Sequence, residues 1–285
     1  MNNTFYIYGY THKGQVRLSN EDHILLGKFI KNSGGLGMYF SADDDFLLDN
    51  GMLFAVADGI GGQNAGDIAS KISLIAFERQ FYGIEKKNLD INRYMEIIAS
   101  SGTRANDTIL NMFAEKPDWA GMGSTISGVC LMNHGYLVYN AGDSRVYRCR
   151  NGTLKPLTVD DTITNLAVQS GQMNFQEAEE SEKRHTLTNS LGSRTFKLNI
   201  KMGPELREDD MILICSDGLH DLVDHDRMEL LVTPDQTVEE NVMALIREAL
   251  NNGGHDNISI ILIRLQTNKE NDKREGNKGE KENER

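Results

Sequence analysis

Basic residues are scarce: 30 Lys and Arg against 42 Asp and Glu leave a formal charge of −12. That deficit excludes nucleic acid and anionic membrane as main partners, because either would repel the surface. Cysteine is nearly absent too. Cys130, Cys149 and Cys215 are odd in number and sit in apolar or strand-like settings, which argues for reduced core residues rather than a disulfide scaffold. No run approaches the roughly 18 apolar residues of a membrane span. Residues 1–10 lack the basic start and apolar centre of a signal peptide. The expected location is the cytoplasm.

What is present is ordinary for a globular chain. With 285 residues, 39% hydrophobic and 25% charged, the chain can build one large domain or two small ones around a sizeable core. Residues 267–285 hold six basic and six acidic side chains, so residues 1–266 carry the whole −12. This tail has no aromatic residue and is expected to be disordered.

The chain is organised around residues 52–62, MLFAVADGIGG, an apolar run that ends in a carboxylate and then in glycines. It reads as a core strand delivering Asp58 to its tip. Residues 64–82 follow as a helix with Ile68, Ile72, Ile75 and Ala76 on one face. A dinucleotide fingerprint fails here, since Gly59-x-Gly61-x-x leads to Asn64 rather than glycine. A P-loop fails as well, because no Lys-Ser or Lys-Thr follows. Two readings remain for Asp58 and Gly59. One is a plain turn; the other is a carboxylate and a free backbone carbonyl suited to a hard cation such as Mg²⁺ or Mn²⁺.

Earlier in the chain, residues 5–10 and 23–26 read as strands. The segment between them, RLSNED (17–22), is a solvated turn on its own terms. Residues 31–50 are rich in Gly, Ser and Asp and are expected to loop, with Asp43, Asp44 and Asp45 solvated. A second long helix spans 91–113, and two helices in succession suggest an antiparallel pair over one sheet. Strands follow at 124–132, 136–141 and 145–150, with Asn151-Gly152 a hairpin signal. Short helices at 160–170 and 174–184 lie in a polar excursion lasting to about 194. Residues 211–218 repeat the opening pattern, an apolar strand ending in Asp217-Gly218. Residues 237–250 form an amphipathic helix, and 258–265 a last strand. Runs of strands beside segregated helices favour an antiparallel α+β layered fold.

Asp58 and Asp217 thus stand at strand ends and Asp256 just before a strand, with Glu21 and Asp22 entering another. On one rim of a sheet these carboxylates would repel one another unless metal ions bridged them.

At this point the chain resembles the metal-dependent protein phosphatases of the protein phosphatase 2C type, nearest their bacterial members. RLSNED (17–22), DGIGG (58–62), MGST (122–125), GDSR (142–145), SDGL (216–219) and DN (256–257) stand in the family order. The resemblance implies an αββα sandwich of two antiparallel sheets flanked by helix pairs, over residues 1–266. It implies a metal-dependent serine/threonine phosphatase, a hydrolase in which water bridging two Mn²⁺ or Mg²⁺ ions attacks phosphorus in line. Asp58 would bridge the ions, Gly59 would lend its carbonyl, Asp217 and Asp256 would complete one ion, and Glu21 and Asp22 would act through metal-bound water. Asp143 matches a residue that helps hold a third, weaker ion. Arg17 matches the arginine that grips phosphate, and residues 160–194 match a flap. Phosphorylated proteins and a cognate Ser/Thr kinase are the implied partners, and a monomer is expected.

One position departs from the pattern. Where many eukaryotic members carry a histidine proposed as general acid, this chain has Ile60, which donates no proton. His255 is a substitute or merely an exposed turn residue; His12, His23, His134, His185, His220 and His225 earn no role. The rival readings are a binding-only pseudophosphatase and a two-metal hydrolase of small phosphate esters.

Overall fold

Period-two burial divides each central strand between two cores. In the computed structural model, which describes residues 2–61, 65–87, 89–119, 121–133 and 135–268, Leu53, Ala55 and Ala57 of the Met52–Ala57 strand face one hydrophobic cluster. Phe54 and Val56 face another. The Met211–Cys215 strand divides likewise, with Ile212 and Ile214 in the second cluster and Met211, Leu213 and Cys215 in a third. Strands covered on both faces read as unbroken apolar runs, which is why these two stood out in the sequence.

The shared middle cluster lies between two six-stranded sheets. One sheet runs Thr153–Pro156, Arg145–Arg150, Met211–Cys215, Ile258–Asn268, Asn2–His12, Gly34–Ser41. The other runs Asn199–Met202, Gly135–Ala141, Ile126–Met132, Met52–Ala57, His23–Leu26, Phe29–Lys31. Neighbours in both are antiparallel. The helices Ala65–Tyr82 and Ile91–Glu115 pack together on the second sheet, and Val238–Asn251 covers the first. This is the expected layered α+β sandwich of two antiparallel sheets. No helix among the described residues is long and apolar enough to cross a membrane, and the three cysteines are free and buried.

Differences from the sequence reading have local causes. Residues 31–50 do not simply loop: Gly34–Ser41 pairs with Asn2–His12, and Asp45–Asn50 is a helix whose N-cap, Asp44, accepts from the amides of Phe46 and Leu47. Glycine hid this strand. Leu36, Met38 and Phe40 alternate into the middle core, while Gly35 lies where the Tyr8 ring leaves no room for a Cβ. The buried seam of the Ala65–Tyr82 helix is Ala69, Ser70, Ser73, Leu74, Phe77 and Phe81, so its isoleucines flank the seam rather than form it. The last strand runs to Asn268, with Thr267 opposite Asn3, past the expected start of the tail. Gly62, Asn64, His134 and residues 269–285 lie outside the described residues.

Candidate metal centre

Antiparallel register brings the acidic positions to one end of the sandwich. His23 pairs with Ala57, so Asp22, which enters one strand, stands beside Asp58, which leaves its neighbour. In the other sheet Cys215 pairs with both Arg145 and Ile260. That brings Asp217, Asp143 and Asp256, each two residues beyond these strands, to the same rim. Gly59 lies in a short ribbon in which Gly59 and Ile60 pair with Ser124 and Gly123.

Hydroxyl and amide side chains hold this rim in shape. The Asp58 amide donates to Thr125 Oγ1 at 3.0 Å and the Thr125 amide to the Asp58 carbonyl at 2.9 Å. Thr125 Oγ1 lies 2.8 Å from Ser144 Oγ. The segments MGST and GDSR are therefore scaffold for Asp58. Asn257 is a clasp: its Oδ1 accepts from the Glu21 amide at 2.8 Å, and its Nδ2 donates to the carbonyls of Lys13 and Ser19 at 2.8 and 3.0 Å. Gly218 packs against the Asn257 carbonyl so closely that a Cβ would strike it. Arg145 grips Asp160 with Nε and Nη2 at 2.7 to 3.0 Å, and the Asp161 amide donates to the Gly142 carbonyl at 3.0 Å. One end of the flap is thereby anchored to the rim. Its other end returns through pairing of Leu191 with Ser124.

The carboxylates are held at a cost in solvation. Asp22 is fully buried; Ser216 donates to its Oδ2 at 2.8 Å, while its Oδ1 has no partner. Burial, against hydrogen bonds from Ser259 and Ser216, and the charges of Asp217 and Asp256 push its pKa up to about 7. Burial and the Asp22, Asp217, Asp143 and Asp256 carboxylates hold Asp58 well above the ordinary range. Burial first, then Asp217 and Asp160, does the same to Asp143. Burial, with the charges of Asp256 and Asp221 and against that of His220, raises Asp217, and its Oδ1 is a second buried oxygen without a partner. Burial also raises Glu21. Arg17, half exposed, donates through Nη2 to Asp256 Oδ2 at 2.6 Å, so it stands at the centre rather than on a remote turn.

Carboxylates that repel one another, two with unpartnered buried oxygens, are a donor set for hard divalent cations. The residues fit Mn²⁺ or Mg²⁺. They also fix the sign of a pH dependence. A folded pKa raised to about 7 for Asp22 contributes stability that is fully present below the unfolded value near ~3.9 and is lost as pH rises through about 7. Asp58, Asp143 and Asp217 act in the same direction. The chelated protein should therefore melt at a higher temperature at about pH 5 than at about pH 8. Excess Mn²⁺ should recover the loss at the higher pH. Equal melting temperatures in chelator at both pH values would mean the carboxylates are not stressed.

The remaining histidines separate clearly. His23 is buried with Nδ1 2.9 Å from Ser70 Oγ, and burial lowers its pKa to about 4, a satisfied core residue. His255 is exposed, its ring lying against Gly253. His185, given no role by the sequence reading, comes from the flap to Asp143 and Asp217, with one ligand atom from each residue within 4.8 Å of the others. No local signal marks it, because its neighbours at the centre are distant in sequence.

Comparison with known proteins agrees with this geometry. A family model described as Protein phosphatase 2C matches residues 41–251. The serine/threonine protein phosphatase PstP of Mycobacterium tuberculosis is 30% identical over 227 residues, 79% of this chain. The chain spans only 43% of that relative's length. The serine/threonine phosphatase stp of Listeria welshimeri is 26% identical over 267 residues, covering 89% of this chain and 93% of the relative. A crystal structure of the Mycobacterium tuberculosis phosphatase superposes with a TM-score of 0.76 at 26% identity, over 93% of this chain and all of that one. A crystal structure of the catalytic domain of a serine threonine protein phosphatase PstP in complex with two manganese ions gives 0.72 at 26% identity, over 92% of this chain and 100% of that one.

Proposed function

The chain belongs to the protein phosphatase 2C family, and from that premise we propose that it is a metal-dependent serine/threonine protein phosphatase reversing the action of a Ser/Thr kinase. The observation that carries the proposal is the convergence of Asp22, Asp58, Asp143, Asp217 and Asp256 on one rim, with Asp22 Oδ1 and Asp217 Oδ1 buried and unpartnered. Asp58, the Gly59 carbonyl, Asp217 and Asp256 would hold two Mn²⁺ or Mg²⁺ ions, and Glu21 and Asp22 would accept hydrogen bonds from their waters. Such ions, when bound, would supply a nucleophile at neutral pH and polarise the phosphoryl oxygens for in-line displacement.

The chain's own residues do the rest. Arg17 presents a planar fork to two phosphate oxygens, and its contact with Asp256 keeps that fork at the centre. Asn257 and Thr125 fix the loops that carry Glu21 and Asp58. Phosphate release from phosphothreonine and phosphoserine peptides should require Mn²⁺ or Mg²⁺ and vanish in excess chelator; full activity in chelator would sink the proposal. Arg17→Ala should mainly raise KM, because a half-exposed arginine grips the phosphate alike in substrate and transition state. Steady-state kinetics showing neither KM nor kcat changed would remove Arg17 from the site.

A further inference from the structure

The loop that carries Arg17 displays an apolar side chain on each side of it. Val16 is 62% exposed and Leu18 98%, so Leu18 covers almost none of its own protein. A loop free to fold back could hide both, but this one is fastened at its two shoulders. On one side the Gln15 amide donates to the Gly254 carbonyl at 2.8 Å, Gln15 Nε2 to the Leu250 carbonyl at 3.0 Å, and Asn257 Nδ2 to the Lys13 carbonyl at 2.8 Å. On the other, Asn257 Nδ2 donates to the Ser19 carbonyl at 3.0 Å and Asn20 Nδ2 to the Asn32 carbonyl at 2.7 Å. Between these fastenings Arg17 is tied to Asp256 at the centre. Residues 16–18 therefore stand as a held crest, a cation with an apolar neighbour before and after it. An exposed leucine by itself needs no account. Two apolar side chains that flank the arginine placed to grip phosphate lie where a substrate must come.

We propose that Val16 and Leu18 are a docking surface for the substrate polypeptide, selecting phosphorylated serine or threonine that has an apolar side chain one or two positions away. With the phosphate on Arg17, the neighbouring residues of an extended peptide advance about 3.3 Å each, which carries their side chains over Val16 on one side and Leu18 on the other. Covering these two removes apolar surface from water on both partners, and Leu18, the more exposed, has the more to gain. The contact is made by carbon alone and is the same before and during reaction, so it acts through KM rather than kcat. The inference rests on the phosphoprotein reading and narrows it, from any phosphoserine or phosphothreonine to those in an apolar setting.

Steady-state kinetics of the full chain at saturating Mn²⁺ tests this with two phosphothreonine peptides, one carrying leucine at the positions flanking the phosphorylated residue and one carrying serine there. The leucine peptide should have the higher kcat/KM, by about 4- to 10-fold, the worth of covering roughly half of one leucine side chain, and the difference should lie in KM. Leu18→Ser should bring the ratio of the two peptides close to unity, and Leu18→Met, which keeps the apolar volume, should preserve most of it. A substitution that merely disturbs the loop would slow both peptides and nitrophenyl phosphate together and leave the ratio as in wild type; that result overturns the inference. Equal kcat/KM for the two peptides in wild type overturns it and leaves the phosphoprotein reading standing. Sedimentation showing a dimer that Leu18→Ser dissolves also overturns it, because a second copy of the chain would then be what covers the crest. Turnover of nitrophenyl phosphate with neither peptide hydrolysed overturns both readings.

Discussion

Asp58→Asn is expected to lower turnover of a phosphothreonine peptide by more than about 100-fold while raising the melting temperature of the chelated protein. The two effects have one origin. Even a partner that only supports a metal ligand costs about 10–100-fold when removed, so loss of the carboxylate placed to bridge both ions should cost more. The same carboxylate is held well above its ordinary pKa by burial and by Asp22, Asp217, Asp143 and Asp256. A raised folded pKa means that at neutral pH the group opposes folding. A neutral amide of the same shape removes that opposition. Each ~1 kcal/mol recovered would appear as about 2–4 °C in a chain of this size. Excess Mn²⁺, which should stabilise the wild type strongly, should stabilise the variant much less. Wild-type turnover in Asp58→Asn would remove it from the site, and a lower melting temperature in chelator would mean that it is a structural residue.

This coupling of function to stress was legible in the sequence only as types and positions. Asp58 and Asp217 stood out because each ends a strand buried on both faces and is followed by glycine. That they lie on one rim depends on register, His23 against Ala57 and Cys215 against Ile260, which no local pattern encodes. The supports were less visible still. Ser216 holds Asp22 across 194 residues of chain and Asn257 holds Glu21 across 236; a serine or asparagine carries no periodicity to betray its partner. The Gly34–Ser41 strand was masked by the glycines that let Tyr8 lie against it. His185 is one of several scattered histidines that carry no signal of their own in the sequence, and only the anchoring of the flap by Arg145 and by Leu191 makes it a neighbour of Asp143.

Replacing Ile60 by histidine should raise turnover of phosphothreonine peptide relative to nitrophenyl phosphate. Hydrolysis of the peptide expels an alkoxide that needs a proton, whereas nitrophenyl phosphate expels a stable phenolate that does not. Ile60 lies in the ribbon beside Gly59, paired with Gly123 and 36% exposed, so the substitution removes no buried apolar side chain. General acid catalysis is worth about 10²–10⁴-fold, large enough to be seen even if water already supplies much of the proton. The gain should fall away from about pH 6 to about pH 9, the range in which an imidazole with a pKa near ~6.5 loses its proton. Comparing both substrates at saturating Mn²⁺ isolates the leaving group, since binding and metal loading are common to the two reactions. An unchanged rate ratio in Ile60→His would mean that the leaving oxygen does not face this ribbon. The proton would then be sought on the flap side, where His185 adjoins Asp143 and Asp217.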